Sequence, residues 1–286
     1  MLQQKETLYI PKMFVVLKGW ADAGGMAQAV FARIRERLPC RRIARMDMDV
    51  SVHGAEHRPQ VVVHHGVLKD FRWPALEFYL PEDPAHQDVV FAVGWEPASH
   101  WRSFLSDFVS LLESWRCRHL LLLGSLYDQI FYDEIRISGV AVDAAGYNLL
   151  RRWGCQFAEY AGPGAIHSAI LNEVRGKPLT AVNLWAHVPF YLKDAHELLV
   201  HRVMEIVGDF AGLSWNLDDL LAEWKERERE IEQILSQDPS LREQIRALKK
   251  EGAPPAPKDS KPARGEVIDL RRFQKKAKNE EADDPA

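Results

Sequence analysis

Gly19-Trp20-Ala21-Asp22-Ala23-Gly24-Gly25 directly follows the apolar run Met13 to Lys18. A strand that passes through a Gly/Asp turn into a helix is how α/β proteins build a ligand edge. The first N–H groups of the helix carry partial positive charge and have no partner within it. Asp22 is expected to cap a helix running from Ala23 towards Leu38, and the glycines let a partner approach the backbone closely. Other strand ends share the theme: Gly94-Trp95-Glu96-Pro97 followed by His100 and Trp101; Gly124-Ser125-Leu126-Tyr127-Asp128; Gly162-Pro163-Gly164 ahead of His167 and Asn172; and His187-Val188-Pro189-Phe190-Tyr191. Parallel strands place their carboxyl ends on one edge, where Asp22, Glu96, Asp128, His187 and Tyr191 would converge.

Each of these residues has a structural use beside a chemical one. Asp22 can serve only as a helix cap. Glu96 can hold its loop by accepting backbone N–H bonds. His187 suits general-base work, or a satisfied structural role. Gly162-Pro163-Gly164 reads as a tight turn and lacks the spacing of a Walker loop or a dinucleotide fingerprint. His64-His65 reads as part of a strand, which would send the two rings to opposite faces and prevent joint metal binding. No cluster has metal-ligand spacing, no Gly-x-Ser-x-Gly elbow is present, and no cofactor is expected.

Composition narrows the classes further. The 286 residues suit one large domain or two small ones, with 47% hydrophobic residues available for a core. A net charge of −4 gives no general attraction to nucleic acid or to anionic membrane. No apolar run approaches the roughly 20 residues that span a bilayer. Met1 to Glu6 lacks the apolar core of a signal peptide. Cys40, Cys117 and Cys155 read as buried free thiols in a reducing compartment, so the expected localisation is cytoplasmic.

The elements that must position these turns follow from periodicity. Met13 to Lys18, Ile43 to Asp47, Val61 to Val67, Asp88 to Gly94, His119 to Gly124, Gln156 to Tyr160 and Thr180 to Val188 read as strands. Val89 to Val93 and Leu120 to Leu123 are nearly continuous apolar, the mark of central strands covered on both faces. Helices are expected over Ala23–Leu38, Trp101–Trp115 with Ser99 as N-cap, Val140–Trp153 and Ala165–Val174. This alternation predicts a three-layer α/β/α sandwich over 1–193, with a largely parallel or mixed sheet. Residues 194–251 read as helices only. Asp194 to Glu197 forms a capping box, a second helix starts near Asn216, and a third restarts at Asp238-Pro239. The apolar stripe of Leu217, Leu220, Leu221, Trp224, Ile231, Ile234 and Leu235 must pack on the sandwich or on another copy. Residues 252–286 read as a disordered tail.

The turns also occur in a recognisable order. Gly19-Trp20-Ala21-Asp22-Ala23-Gly24, Arg58-Pro59, Trp73-Pro74, Gly94-x-Glu96-Pro97-x-x-x-Trp101, Gly162-Pro163-Gly164 and Val188-Pro189-x-Tyr191 together resemble the proteasome assembly chaperone family, in the prokaryotic branch similar to the second eukaryotic assembly chaperone. The resemblance spans about residues 10–250. It implies a phosphorylase/hydrolase-like α/β/α fold with C-terminal helices, a homo-oligomer, and a non-catalytic role in binding a protein client or assembly partner. Gly19, Trp20, Asp22, Gly24, Glu96, Pro97, Trp101, Gly162, Gly164, His187 and Tyr191 are then the candidate binding residues. The alternative is an enzyme or sensor that binds a nucleoside-, nucleotide- or amino-acid-like molecule at the same edge. The chain departs from the family in two places. Ile130-Phe131-Tyr132-Asp133-Glu134 stands where many relatives carry a Pro-His-Thr-Arg-Pro-like segment. The terminal Asp283-Asp284-Pro285-Ala286 lacks the hydrophobic-Tyr-x tail through which some assembly chaperones dock.

Overall fold

A computed structural model describes residues 2–4, 8–47, 58–194 and 196–250. The strands are β1 (Leu2–Gln4), β2 (Lys12–Lys18), β3 (Cys40–Asp47), β4 (Gln60–His64), β5 (Val67–Arg72), β6 (Ala75–Pro81), β7 (Val89–Trp95), β8 (His119–Asp128), β9 (Ile137–Ala141), β10 (Gln156–Phe157) and β11 (Thr180–Pro189). The helices are α1 (Met26–Arg37), α2 (Trp101–Ser114), α3 (Ala144–Arg152), α4 (Ile166–Val174), α5 (Glu197–Ala211), α6 (Asp218–Gln237) and α7 (Pro239–Lys250).

The fold is mixed α/β. Among the described residues nine strands form one sheet in the order β1-β3-β6-β7-β2-β8-β11-β9-β10, while β4 and β5 pair with each other in a separate two-stranded sheet. The central strands β7, β2, β8 and β11 run parallel, and β9 lies antiparallel to β11. The continuous apolar strands sit in this centre because both of their faces are buried. In β2, Phe14 and Val16 join a core with α1, α3 and α5, whereas Met13 and Val15 join a second core with α2 and α4.

Several expected elements differ from those observed, each for a local reason. The run Val61 to Val67 is not one strand. His65 (φ 49) and Gly66 (φ 74) turn the chain back into β5, and the His64 and His65 rings therefore meet, with centroids 4.2 Å apart. The expected helix Val140–Trp153 begins only at Ala144. Asp143 caps it by accepting the Gly146 N–H at 2.7 Å, and the preceding residues form β9. Ser99 is not the cap of α2; His100, in the left-handed region, takes that place. The cap of α5 is His196, whose Nδ1 accepts the Leu199 N–H at 3.2 Å, rather than Asp194.

The C-terminal helices pack within the chain. Nine α5 residues are buried, and Leu217 and Leu220 share their core with α1 and β2. Trp224, Ile231 and Leu235 of α6 and Leu241 and Ile245 of α7 close a third cluster over Phe131, Tyr132, Tyr191 and Leu192. The segment 130–134 thus supplies apolar packing for α6. Pro239 starts α7, and Asp238 Oδ1 accepts the Leu241 N–H at 3.0 Å. The expectation for 252–286 lies outside the described residues.

Candidate functional site

The four parallel central strands bring their carboxyl ends to one edge, as the sequence leads one to expect. After β2, Gly19 adopts φ 130, and a side chain built there would lie 3.2 Å from Glu96 Cβ. The positive φ favours glycine, and a side chain would also crowd Glu96. The segment Ala23–Gly25 is a 3-10 turn, and α1 proper starts at Met26. Asp22 reaches across that turn, and its Oδ1 accepts the Ala27 N–H at 2.7 Å. The Gly24 N–H donates to Tyr127 Oη at 3.2 Å, and the Gly25 N–H donates to the Asp22 carbonyl at 3.3 Å. Three donors at this helix start are consumed by the protein's own acceptors, which disfavours the anion-binding use of the turn. Ser125 stitches the turn to β8, with Oγ donating to the Ala23 carbonyl at 2.9 Å. Burial raises the Asp22 carboxyl to about 6, against the Ala27 bond and the Lys18 charge, both of which favour its ionised form.

Glu96 is committed in a similar way. It is buried, and its Oε1 accepts the Ile166 N–H at the start of α4 at 3.0 Å. Its own N–H donates to the Lys18 carbonyl at 2.7 Å, tying the ends of β7 and β2 together. Pro97 is buried, and its carbonyl accepts Trp101 Nε1–H at 2.7 Å. Gly162 and Gly164 lie in the loop entering α4, where Tyr160 Oη donates to the Pro163 carbonyl at 2.9 Å. The loop does not leave a strand parallel to the central four: β10 is two residues long and parallel to β9, so it runs opposite to them.

On the other half of the edge, side chains bond to side chains. His187 Nδ1 lies 2.7 Å from Asp128 Oδ2, and its Nε2 lies 2.8 Å from Ser138 Oγ. Arg136 Nη1 donates to the same Asp128 oxygen at 2.9 Å, and Arg136 also pairs with Glu134. Burial pushes the Asp128 carboxyl up, but the His187 hydrogen bond and charge, the Gln129 N–H and Arg136 outweigh it and hold it below the ordinary value. The three residues sit on adjacent strands β8, β11 and β9. Tyr191 is not in this group: it is buried, and its Oη donates to the Ile130 carbonyl at 3.2 Å.

The structure thus places Asp22, Glu96, Asp128 and His187 on neighbouring strand ends but bonds only the last two to each other. Ser138 and Arg136 escape sequence reasoning because their segment reads as the approach to a helix. The run Ile137 to Ala141, with its apolar residues and small Gly139, is the signal that could have identified a strand. Two cavities, of about 240 Å³ between α2 and the end of α4 and about 510 Å³ beside β9 and β10, are lined by neither Trp20, Asp22, Glu96 nor His187. Among the described residues no group of three or more His, Cys, Asp or Glu could hold a metal ion, and no helix is long and apolar enough to cross a membrane.

The family model described as PAC2 family matches residues 16–235. A Mycobacterium tuberculosis proteasome-assembly chaperone homologue is 26% identical, with a TM-score of 0.70 over 79% of this chain and 96% of that one. A Corynebacterium glutamicum protein of unknown function is 19% identical, with a TM-score of 0.74 over 87% and 96%. Pyrococcus furiosus PbaA, an archaeal homologue of a proteasome-assembly chaperone, is 15% identical, with a TM-score of 0.57 over 87% and 98%. No curated protein matches the sequence.

Proposed function

The chain belongs to the PAC2 family, and on that premise we propose that it works by binding other proteins, as an oligomer, in the manner of the assembly chaperones it resembles. The arrangement of helices on both sheet faces is read as the phosphorylase/hydrolase-like sandwich that this resemblance implies. The supporting observation is the β4–β5 arm. Val61, Val62 and Val63 on one strand and Val67, Leu68 and Phe71 on the other are all exposed, so apolar side chains meet solvent on both faces of the hairpin. A lone two-stranded hairpin is marginal in water, and contiguous exposed apolar surface of this kind marks an interaction site. Trp73, at the base of the arm, stacks edge-on against Phe71 with centroids 5.2 Å apart. Exposed Trp20, Tyr127 and Tyr160 add aromatic anchors at the strand-end edge, where the nearby carboxylates already serve the backbone.

Cutting the chain near Gly212 would not isolate this function, because it would strip Leu217 and Leu220 from the main core. The test uses the full chain instead. Its mass in solution is measured alone and after mixing with proteasome particles of the host, for wild type and for Phe71→Lys with Trp73→Glu. The expected result is an oligomer or a particle complex that weakens at least tenfold in the arm variant. A wild type that stays monomeric and binds no particle overturns the reading.

A further inference from the structure

The protein-binding reading leaves one arrangement unused. Ser138 Oγ, the His187 ring and the Asp128 carboxylate form a continuous hydrogen-bonded line, with links of 2.8 and 2.7 Å. The line is built by strand order rather than by a local motif, since Ser138 and Asp128 come from strands on either side of β11. Its polarity follows from charge. Asp128 is held ionised, with Arg136 bonded to the same oxygen, so it can only accept. It therefore takes the Nδ1–H of His187, and in the tautomer that carries its proton on Nδ1 alone, Nε2 is the acceptor facing the Ser138 hydroxyl. This gives a serine with a general base in bonding contact and a third group that fixes the base's tautomer, the pattern of an activated nucleophile. The line is covered but not sealed: Ser138 is 8% exposed and the His187 side chain 13%.

We propose that Ser138 is a nucleophilic serine that accepts acyl groups from small esters, with His187 as its general base and Asp128 as a positioning residue. Ser138 Oγ attacks the ester carbonyl carbon and its proton passes to His187 Nε2. The bond from that carbon to the alkoxy oxygen then breaks, and the proton leaves with the departing alcohol. Water, deprotonated by the same imidazole, attacks the acyl-Ser138 ester. The carboxylic acid is released and the proton returns to Ser138 Oγ. The site differs from the Gly-x-Ser-x-Gly elbow in that Ser138 is carried within a strand, and Gly139 follows it only because Leu150 of α3 packs where a side chain would stand.

The test treats the full chain with a fluorophosphonate probe and, separately, with p-nitrophenyl acetate. The modified peptide is mapped by mass spectrometry. The expected label lies on Ser138 of the wild-type protein. It is lost in Ser138→Ala, slows about 100-fold in His187→Gln, and is unchanged in Ser110→Ala, an exposed serine of α2. Asp128→Asn slows labelling, and Asp128→Glu restores part of the rate, as a charge-dependent positioning role requires. A wild type that takes no label, or takes it on another residue, overturns the proposal even if a variant fails to fold. Neither outcome bears on the arm or on particle binding.

Discussion

The two halves of the carboxyl edge use the same residue types in opposite ways. On the β7–β2 side, Asp22 and Glu96 each accept a backbone N–H at a helix start, and their work is to fix where α1 and α4 begin. On the β8–β11–β9 side, Asp128 accepts the Gln129 N–H with one oxygen but gives the other to the His187 and Arg136 side chains, and His187 bonds on to Ser138. A carboxylate that holds backbone is a structural part, because moving it leaves a buried donor unpaired. A carboxylate that holds an imidazole by one nitrogen turns the other towards a second group, here the Ser138 hydroxyl. The same edge therefore carries both a scaffold and a group with chemical capacity.

The contrast can be sharpened most strongly by acid. His167 sits on α4 with neither ring nitrogen hydrogen-bonded, and burial holds it down at about 4, opposed by the weaker influence of the Leu123 backbone. Its folded pKa lies below the unfolded value of about 6.5, so the unfolded chain takes the proton first. The stability it contributes is complete above about pH 6.5 and is lost as pH falls towards 4. The loss amounts to about 3 kcal/mol. Urea unfolding at pH 7 and pH 4.5 should show a loss smaller by about that amount in His167→Phe. An equal loss in both proteins would place the acid-sensitive group elsewhere.

A direct comparison of the halves comes next in size. Glu96→Ala strands the buried Ile166 N–H and should cost about 1–3 kcal/mol, whereas His187→Gln should cost about 1 kcal/mol or less. Thermal melts of the two variants decide this, and equal costs would erase the distinction. The smallest effect concerns Asp22. Its carboxyl is raised above its unfolded value, so the folded protein holds the extra proton and stability falls as pH rises from about 4 to 6. Asp22→Asn keeps an acceptor for Ala27 and removes the buried charge. It should therefore stabilise by about 1–2 kcal/mol at pH 8 and have little effect near pH 4. Destabilisation at both pH values would mean that the charge itself is needed by the cap.

Much of the framework is legible from local pattern. Val89 to Val93 and Leu120 to Leu123 declare central strands because burial on both faces removes the need for polar alternation. Asp22 bonding a helix-start N–H and Pro239 opening α7 are written in residue type, since each acts within a few positions along the chain, although α1 itself starts at Met26 with Gly25 in the cap position. Local pattern fails where partners are distant. Ala75 to Pro81 carries a good strand sequence, but its place between β3 and β7 depends on pairing across the sheet. Val61 to Val67 divides into two strands because a turn forms at His65-Gly66, two positions whose φ values are set by hairpin closure.

By itself, the sequence determined a mixed α/β chain, the family-marking turns at its strand ends, and a helical C-terminal region, because these depend on residue type and short spacing. Only the tertiary structure decided that Ser138 meets His187 across 49 residues and that His187 meets Asp128 across 59. Those contacts follow from placing β11 between β8 and β9. Strand order is fixed by the packing of whole faces, and a periodicity of two or 3.6 residues carries no record of it.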